Sequence, residues 1–144
     1  MGEDATELRG RCHCGAVEAL LQPGRPVGEI AVRACQCGFC RRHGAATATD
    51  ASGRLTIRSR VPLHRYRFAS GATQVLLCPQ CGVYVGGMIE AEGRRLATLN
   101  VAGLAMSPLD ARTPEPADYS AESARERLAR RLAVWTPLTL EEPS

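Results

Sequence analysis

The sequence predicts a mostly β domain of short antiparallel strands with a C-terminal α-helix, and three observations carry that prediction. Eight to ten short apolar stretches recur at regular spacing, bounded by glycine, proline, aspartate and serine, which is the pattern of an all-β core. After Thr113-Pro114-Glu115-Pro116 the period changes: Ala121, Ala124, Leu128, Leu132 and Trp135 recur at helical spacing. All seven cysteines fall in three tight groups, Cys12/Cys14, Cys35/Cys37/Cys40 and Cys78/Cys81, with none scattered as small core residues. In a chain of 144 residues, one domain long enough to bury its own core, thiols so grouped read as a metal protein.

Residues 7–12 form a strand that runs into the first cysteine pair, Gly15 makes a tight turn, and residues 16–22 return as a second strand. In an extended Cys-x-Cys the middle side chain faces away from both sulfurs, so His13 is not expected as their co-ligand. Gln22-Pro23-Gly24-Arg25-Pro26 is a turn, and residues 27–35 then alternate weakly and deliver Cys35 at a strand end. Residues 37–43 suit a short helical turn in which Cys40 and His43 stand three apart on one face. Short strands follow at 45–49, 55–58, 63–68, 73–77, 83–90 and 95–101; the fourth of these leads into Cys78. In the helix, Ser120 or Ser123 is the candidate N-cap, and Glu126 stands four before Arg130. Arg125, Arg127, Arg130 and Arg131 fall on its polar side and read as a solvated face ahead of the alternative, an anionic docking surface, and residues 138–144 read as a loose tail. The organisation is a zinc-binding β domain over 1–112, with a proline-rich linker, amphipathic helix and tail at 113–144 packed on the same domain.

Composition bounds the partners. The formal charge of +3 falls to zero if all seven cysteines ligate as thiolates and two divalent ions are bound, so nucleic acid is not an expected partner. Every one of the 18 basic side chains is arginine, which excludes a lysine Schiff base. The opening residues are acidic and polar where a secretory leader is basic and then apolar. The most apolar stretch, 96–106, is interrupted by Asn100 and Gly103. A soluble, cytoplasmic protein with no membrane span is expected. Met1-Gly2-Glu3-Asp4-Ala5-Thr6 does satisfy the loose N-myristoylation pattern, which is short enough to arise by chance. In a reducing cytosol an odd number of cysteines at these spacings is a metal framework rather than a disulfide one. Strand edges left open in such a domain make a homodimer an expectation as well.

Cys12, Cys14, Cys78 and Cys81 offer four soft thiolates, which satisfy a tetrahedral zinc and leave no seat for substrate. Gly15 and Gly82 follow the two pairs, where a backbone turning around a metal needs a residue tolerant of positive φ. Cys35, Cys37 and Cys40 offer only three sulfurs, and three protein ligands with one exchangeable position is the arrangement of a catalytic zinc. The alternative is that His43 closes the site, making both sites structural. Arg41 and Arg42 either offset the charge of the thiolates or grip a substrate carboxylate by bidentate hydrogen bonds. Tyr66 packs in the core or hydrogen-bonds near the site, while His64 and Trp135 read as structural.

Gly10-Arg11-Cys12-His13-Cys14-Gly15-Ala16-Val17, Cys35-Gln36-Cys37-Gly38-Phe39-Cys40-Arg41-Arg42, Cys78-Pro79-Gln80-Cys81-Gly82 and Leu99-Asn100-Val101 together resemble the glutathione-dependent formaldehyde-activating enzyme family, which also includes centromere protein V. The likeness runs from residue 8 to residue 104 and leaves out the arginine-rich helix. It implies a zinc-bound β-tent fold, structural zinc at Cys12, Cys14, Cys78 and Cys81, and a second, catalytic-type zinc at Cys35, Cys37 and Cys40. It also implies a carbon-sulfur lyase-type reaction on a thiol-aldehyde adduct, with glutathione or another low-molecular-weight thiol and formaldehyde or a related aldehyde as partners. The competing expectation is a non-catalytic, zinc-stabilised thiol-binding or scaffold protein.

Overall fold

Strict alternation puts Leu55, Ile57 and Ser59 inward and Arg54 and Arg58 outward along one strand, and another strand of the same sheet is buried at six consecutive residues. Those two patterns mark a sheet that is half-covered at one end and fully covered in the middle. The computed structural model describes residues 6–144, so the myristoylation pattern, Thr6 apart, lies outside the described residues.

Strand β1 (Leu8–Arg11) pairs antiparallel with β2 (Val17–Gln22); a 3-10 turn at Val27–Glu29 precedes β3 (Val32–Cys35), which leads into helix α1 (Gly38–His43). Strands β4 (Thr47–Ala48), β5 (Arg54–Ser59), β6 (His64–Tyr66), β7 (Gln74–Leu77), β8 (Tyr84–Ala91) and β9 (Arg94–Asn100) follow. The chain ends in β10 (Glu115–Ala117), helix α2 (Ala124–Val134) and β11 (Thr136–Glu141).

All these strands join one branched, mostly antiparallel sheet, and β9 is its branch point. One edge of β9 pairs with β8, and the other is shared by β11 and β4. From there one path runs through β11, β5 and β2 to β1, a second through β4 and β3 to β10, and a third through β8 and β7 to β6. Strand β8 feeds all three apolar clusters: Val85 and Met88 enter the main core, Tyr84 joins Cys40, Ala45 and Val75, and Ile89 joins Leu96 and Trp135.

Three segments differ from the sequence expectation. Residues 138–144 are not a loose tail: β11 lies inside the sheet, parallel to β5 from Leu138 opposite Leu55 to Glu141 opposite Arg58. The proline-rich break holds β10, parallel to β3, and Pro116 is tolerated there because β10 is an edge strand. The arginine face of α2 is solvated only at Arg125, which is exposed. Arg127, Arg130 and Arg131 are half-buried and turned to a cleft, while Leu128 is 41% exposed. The apolar spacing misled because Ala121 precedes the cap and Trp135 follows the helix end, so Leu132 alone carries the packing onto Ile89, Leu96 and Trp135. The cap itself is Ser123, whose hydroxyl accepts the Glu126 N–H at 3.1 Å while the Glu126 carboxylate accepts the Ser123 N–H at 2.8 Å. Among the described residues no helix is long and apolar enough to cross a membrane.

Candidate metal centres

Two loops of one design bring the first cluster together. In one the Cys12 N–H donates to the Val17 carbonyl at 2.9 Å, and in the other the Cys78 N–H donates to the Val83 carbonyl at 3.0 Å. Each loop turns on a glycine in the left-handed region, Gly15 at φ 82° and Gly82 at φ 80°. Across the loops, the Cys14 and Cys78 sulfurs lie 3.6 Å apart, and within the first loop those of Cys12 and Cys14 lie 3.7 Å apart. Four sulfurs each about 2.3 Å from a tetrahedral zinc would stand about 3.8 Å from one another, so this set fits that ion as it is. His13 is exposed; the turned backbone, rather than strand alternation, points it outward. Burial pushes the Cys78 thiol up to about 11. Burial acts on Cys81 in the same sense, but backbone N–H groups and neighbouring thiols outweigh it and bring Cys81 down to about 6. Packed thiols that divide in this way share a proton and can ionise together only around a cation.

The second cluster is local. Strand β3 delivers Cys35, and Cys37 caps α1, its sulfur accepting the Cys40 N–H at 3.3 Å. The sulfurs of Cys35, Cys37 and Cys40 lie within 4.8 Å of one another, a spacing that also suits a zinc ion. A hydrogen bond from Cys40 lowers the Cys35 thiol to about 5 against the opposing effect of burial, and the same bond together with burial pushes Cys40 far up. Tyr84 stands behind them, its phenol held well above the usual range by burial and then by the three sulfurs, and it is hydrogen-bonded to Cys40. His43 does not join the group. Its ring is exposed and packs on Phe39 with centroids 4.4 Å apart.

A cleft opens beside this second cluster, in two adjoining lobes of about 120 and 260 Å³. Cys35 and Cys37 line both lobes and Cys40 the inner one; the four-sulfur cluster lines neither. Phe39 and Phe68, their rings stacked with centroids 5.5 Å apart, line the inner lobe together with Thr73, Gly87, Arg33, Arg130, Arg131 and Trp135. Arg41 and Arg42 do not line it. Successive helical residues point about 100° apart, so with Cys40 facing inward these two face solvent, and Arg42 donates to the Gly38 carbonyl at 3.2 Å. Tyr66 is 45% exposed and stacks on Phe39 and Phe68, with centroids at 5.9 and 5.6 Å; His64 is exposed, and Trp135 is buried. Sequence reasoning missed Tyr84, Arg33 and the inward turn of Arg130 and Arg131. The spacing of Arg127, Arg130 and Arg131 on one helical face was the available signal.

The family whose pattern matches this chain is described as glutathione-dependent formaldehyde-activating enzyme, and the match covers residues 7–121. A crystal structure of a Rhodobacter sphaeroides protein is similar, at 30% identity and a TM-score of 0.58, covering 76% of this chain and 99% of that one. No curated protein matches. The family match takes in all seven cysteines and stops before α2 and β11. With both sulfur clusters assembled inside that span, the chain belongs to the glutathione-dependent formaldehyde-activating enzyme family.

Proposed function

We propose that this protein is a zinc-dependent carbon-sulfur lyase-type enzyme acting on a thiol-aldehyde adduct of the S-hydroxymethylglutathione kind. On this reading Cys35, Cys37 and Cys40 hold the metal of the reaction, and Cys12, Cys14, Cys78 and Cys81 hold a structural one. The observation that carries it is the contrast in access: the three-sulfur cluster opens on a cleft, whereas the four-sulfur cluster already has a full ligand set and lines neither lobe.

A zinc ion bound by three thiolates would supply Lewis acidity, acidifying a thiol and polarising a carbonyl placed beside it. The chain's own groups supply position and exclusion. Tyr84 keeps its proton at neutral pH and fixes Cys40 by hydrogen bonding. Phe39, Phe68 and Val75 give the inner lobe an apolar wall that keeps water from competing for the aldehyde. In the condensing direction a C–S bond forms, the C=O π bond opens, and the thiol proton ends on the new hydroxyl; the lyase direction is the reverse. Holding the two reactants in one narrow cleft lowers the entropic part of that barrier. Arg41 and Arg42, outside the cleft, offset the charge of the thiolates.

The test is adduct formation from glutathione and formaldehyde, followed against the spontaneous rate. Zinc-loaded protein accelerates it, and Cys37→Ser abolishes the acceleration while the thermal melt survives, serine being a good helix N-cap. No acceleration with any low-molecular-weight thiol overturns the lyase reading; binding of a thiol without acceleration leaves the non-catalytic thiol-binding protein in its place.

A further inference from the structure

One wall of the cleft lies outside the family match. Arg127, Arg130 and Arg131 stand at i, i+3 and i+4 on one face of α2, beyond residue 121, and Arg33 reaches the same cleft from β3. Guanidinium groups turned inward normally bring a carboxylate with them. Here the carboxylates are too few. Glu122 accepts from Arg130 at 2.8 and 3.0 Å and stands 3.9 Å from Arg127. Asp118, at the outer lobe, is engaged by the Ser120 N–H at 2.9 Å. Arg130 is further held against the Tyr119 ring, its guanidinium carbon 3.6 Å from the centroid. Among the described residues Arg131 and Arg33 make no ion pair. Arg131 packs over Trp135 at 4.9 Å, and its Nε is buried with no hydrogen-bond partner.

We infer that this arginine wall is an anion subsite that selects the thiol: Arg131, with Arg33 and Arg130, receives a carboxylate of the same molecule whose sulfur reaches Cys35, Cys37 and Cys40. A planar guanidinium matches a carboxylate by two parallel hydrogen bonds, and one already fixed by an aromatic ring loses little freedom in making them. Both lobes share Cys35, Cys37, Arg130 and Arg131, so one small ligand touches the sulfurs and the arginines at once. The protein therefore takes carboxylate-bearing thiols over neutral ones, and two of the three arginines that do so, Arg130 and Arg131, lie beyond the family match. The role of the sulfur rests on the proposed function; the anion subsite does not. A rival account is that the arginines only offset the thiolates, since Arg130 acts electrostatically on Cys35.

Two probes separate these ideas. S-methylglutathione keeps the carboxylates of glutathione but offers no free thiol, and its binding to zinc-loaded protein is read by titration calorimetry. 2-Mercaptoethanol offers a thiol with no charge, and its binding to cobalt-substituted protein is read by thiolate-to-cobalt absorption. Wild-type protein binds S-methylglutathione with an affinity that falls as salt rises; Arg131→Gln weakens it about tenfold, as loss of one charge-assisted pair does, and Arg131→Lys recovers part. Arg33→Gln gives a smaller loss and stands in should Arg131→Gln fail to fold. No binding by wild-type protein, or undiminished binding by both variants, overturns the inference, and a surviving cobalt response to 2-mercaptoethanol would then leave the proposed function intact. Binding of S-methylglutathione with no cobalt response does the opposite, keeping the subsite and removing the open metal site. Loss of cobalt from Arg131→Gln with S-methylglutathione binding unchanged assigns the arginine to charge compensation and overturns the inference.

Discussion

The two cysteine clusters use the same side chain, and they differ in what the backbone asks of it. Cys12 and Cys78, 2% and 1% exposed, come from loops at opposite branches of the sheet, one between β1 and β2 and the other between β7 and β8. An ion there would tie together two branches of the sheet that are joined in the ladder through β9 and otherwise by side-chain packing in the main core. Cys35, Cys37 and Cys40 come from six consecutive residues and tie a strand to the helix that follows it. Closing a long loop removes more freedom from the unfolded chain than closing a short one, so ligand separation, and not thiolate number alone, decides which metal folds the chain. The local cluster is left free to face a cleft.

The sharpest way to break that comparison is to remove one sulfur from each cluster. Cys78→Ser should abolish the cooperative melt and release both ions, because a structural zinc contributes on the order of 10 kcal/mol, comparable with the whole stability of a domain. Cys37→Ser should release one ion and keep the melt. Elemental analysis beside a circular-dichroism melt reads both, and the reverse result would end the distinction between a folding metal and a reaction metal.

A smaller effect separates the sheet's own acid sensitivity from that of the clusters. Asp50, buried, accepts from the Gly24 N–H at 2.8 Å, from Ser52 Oγ at 2.8 Å and N–H at 3.2 Å, and from Arg25 Nε at 3.1 Å, and none of these donors belongs to either set of sulfurs. Burial raises its pKa, but those donors outweigh it and hold the carboxyl below its usual value. A depressed carboxylate contributes stability that is complete above the unfolded pKa, about 3.9, and fades as pH falls through the folded value. Asp50→Asn should therefore cost about 1–3 kcal/mol, with the gap to wild type constant from about pH 8 to pH 5 in denaturant titrations. A gap that narrows within that range would show that the carboxyl is not depressed.

What the sequence made legible follows the same division between local and distant. The three-sulfur cluster, the glycines at 15 and 82 and the Ser123 cap were readable because each is fixed by residues a few positions away, and the four-sulfur cluster because each of its two pairs, Cys12/Cys14 and Cys78/Cys81, is a local motif, although the pairs themselves stand far apart in the chain. Strand β11 was not, since its partner β5 lies some eighty residues earlier and Thr136–Glu141 has no local strand pattern strong enough to announce it. Asn100 looked like an interruption of an apolar stretch. In the fold its amide accepts from the Ala46 N–H at 3.2 Å and donates to the Tyr84 carbonyl at 2.9 Å, bracing the β-strands behind the second cluster. The arginine wall was legible as a helical face but not in its direction, because the partner surface is built by strands remote in sequence.

The finest test of the comparison concerns the one residue that could erase it. If an imidazole completed the second cluster, both metals would be closed and the difference in access would vanish. His43 stands three residues after Cys40, which is the right helical spacing, yet its ring lies against Phe39 at 4.4 Å and beside Tyr84 at 5.7 Å, an aromatic contact rather than a ligand position. An exposed ring in such a contact contributes about 1 kcal/mol, which for a chain of this size moves the melting temperature by only a few degrees. His43→Ala should thus retain two zinc ions per chain and the cobalt response to 2-mercaptoethanol. A second ion lost with the imidazole would close the cluster, and the cleft beside it would have no metal to offer a thiol.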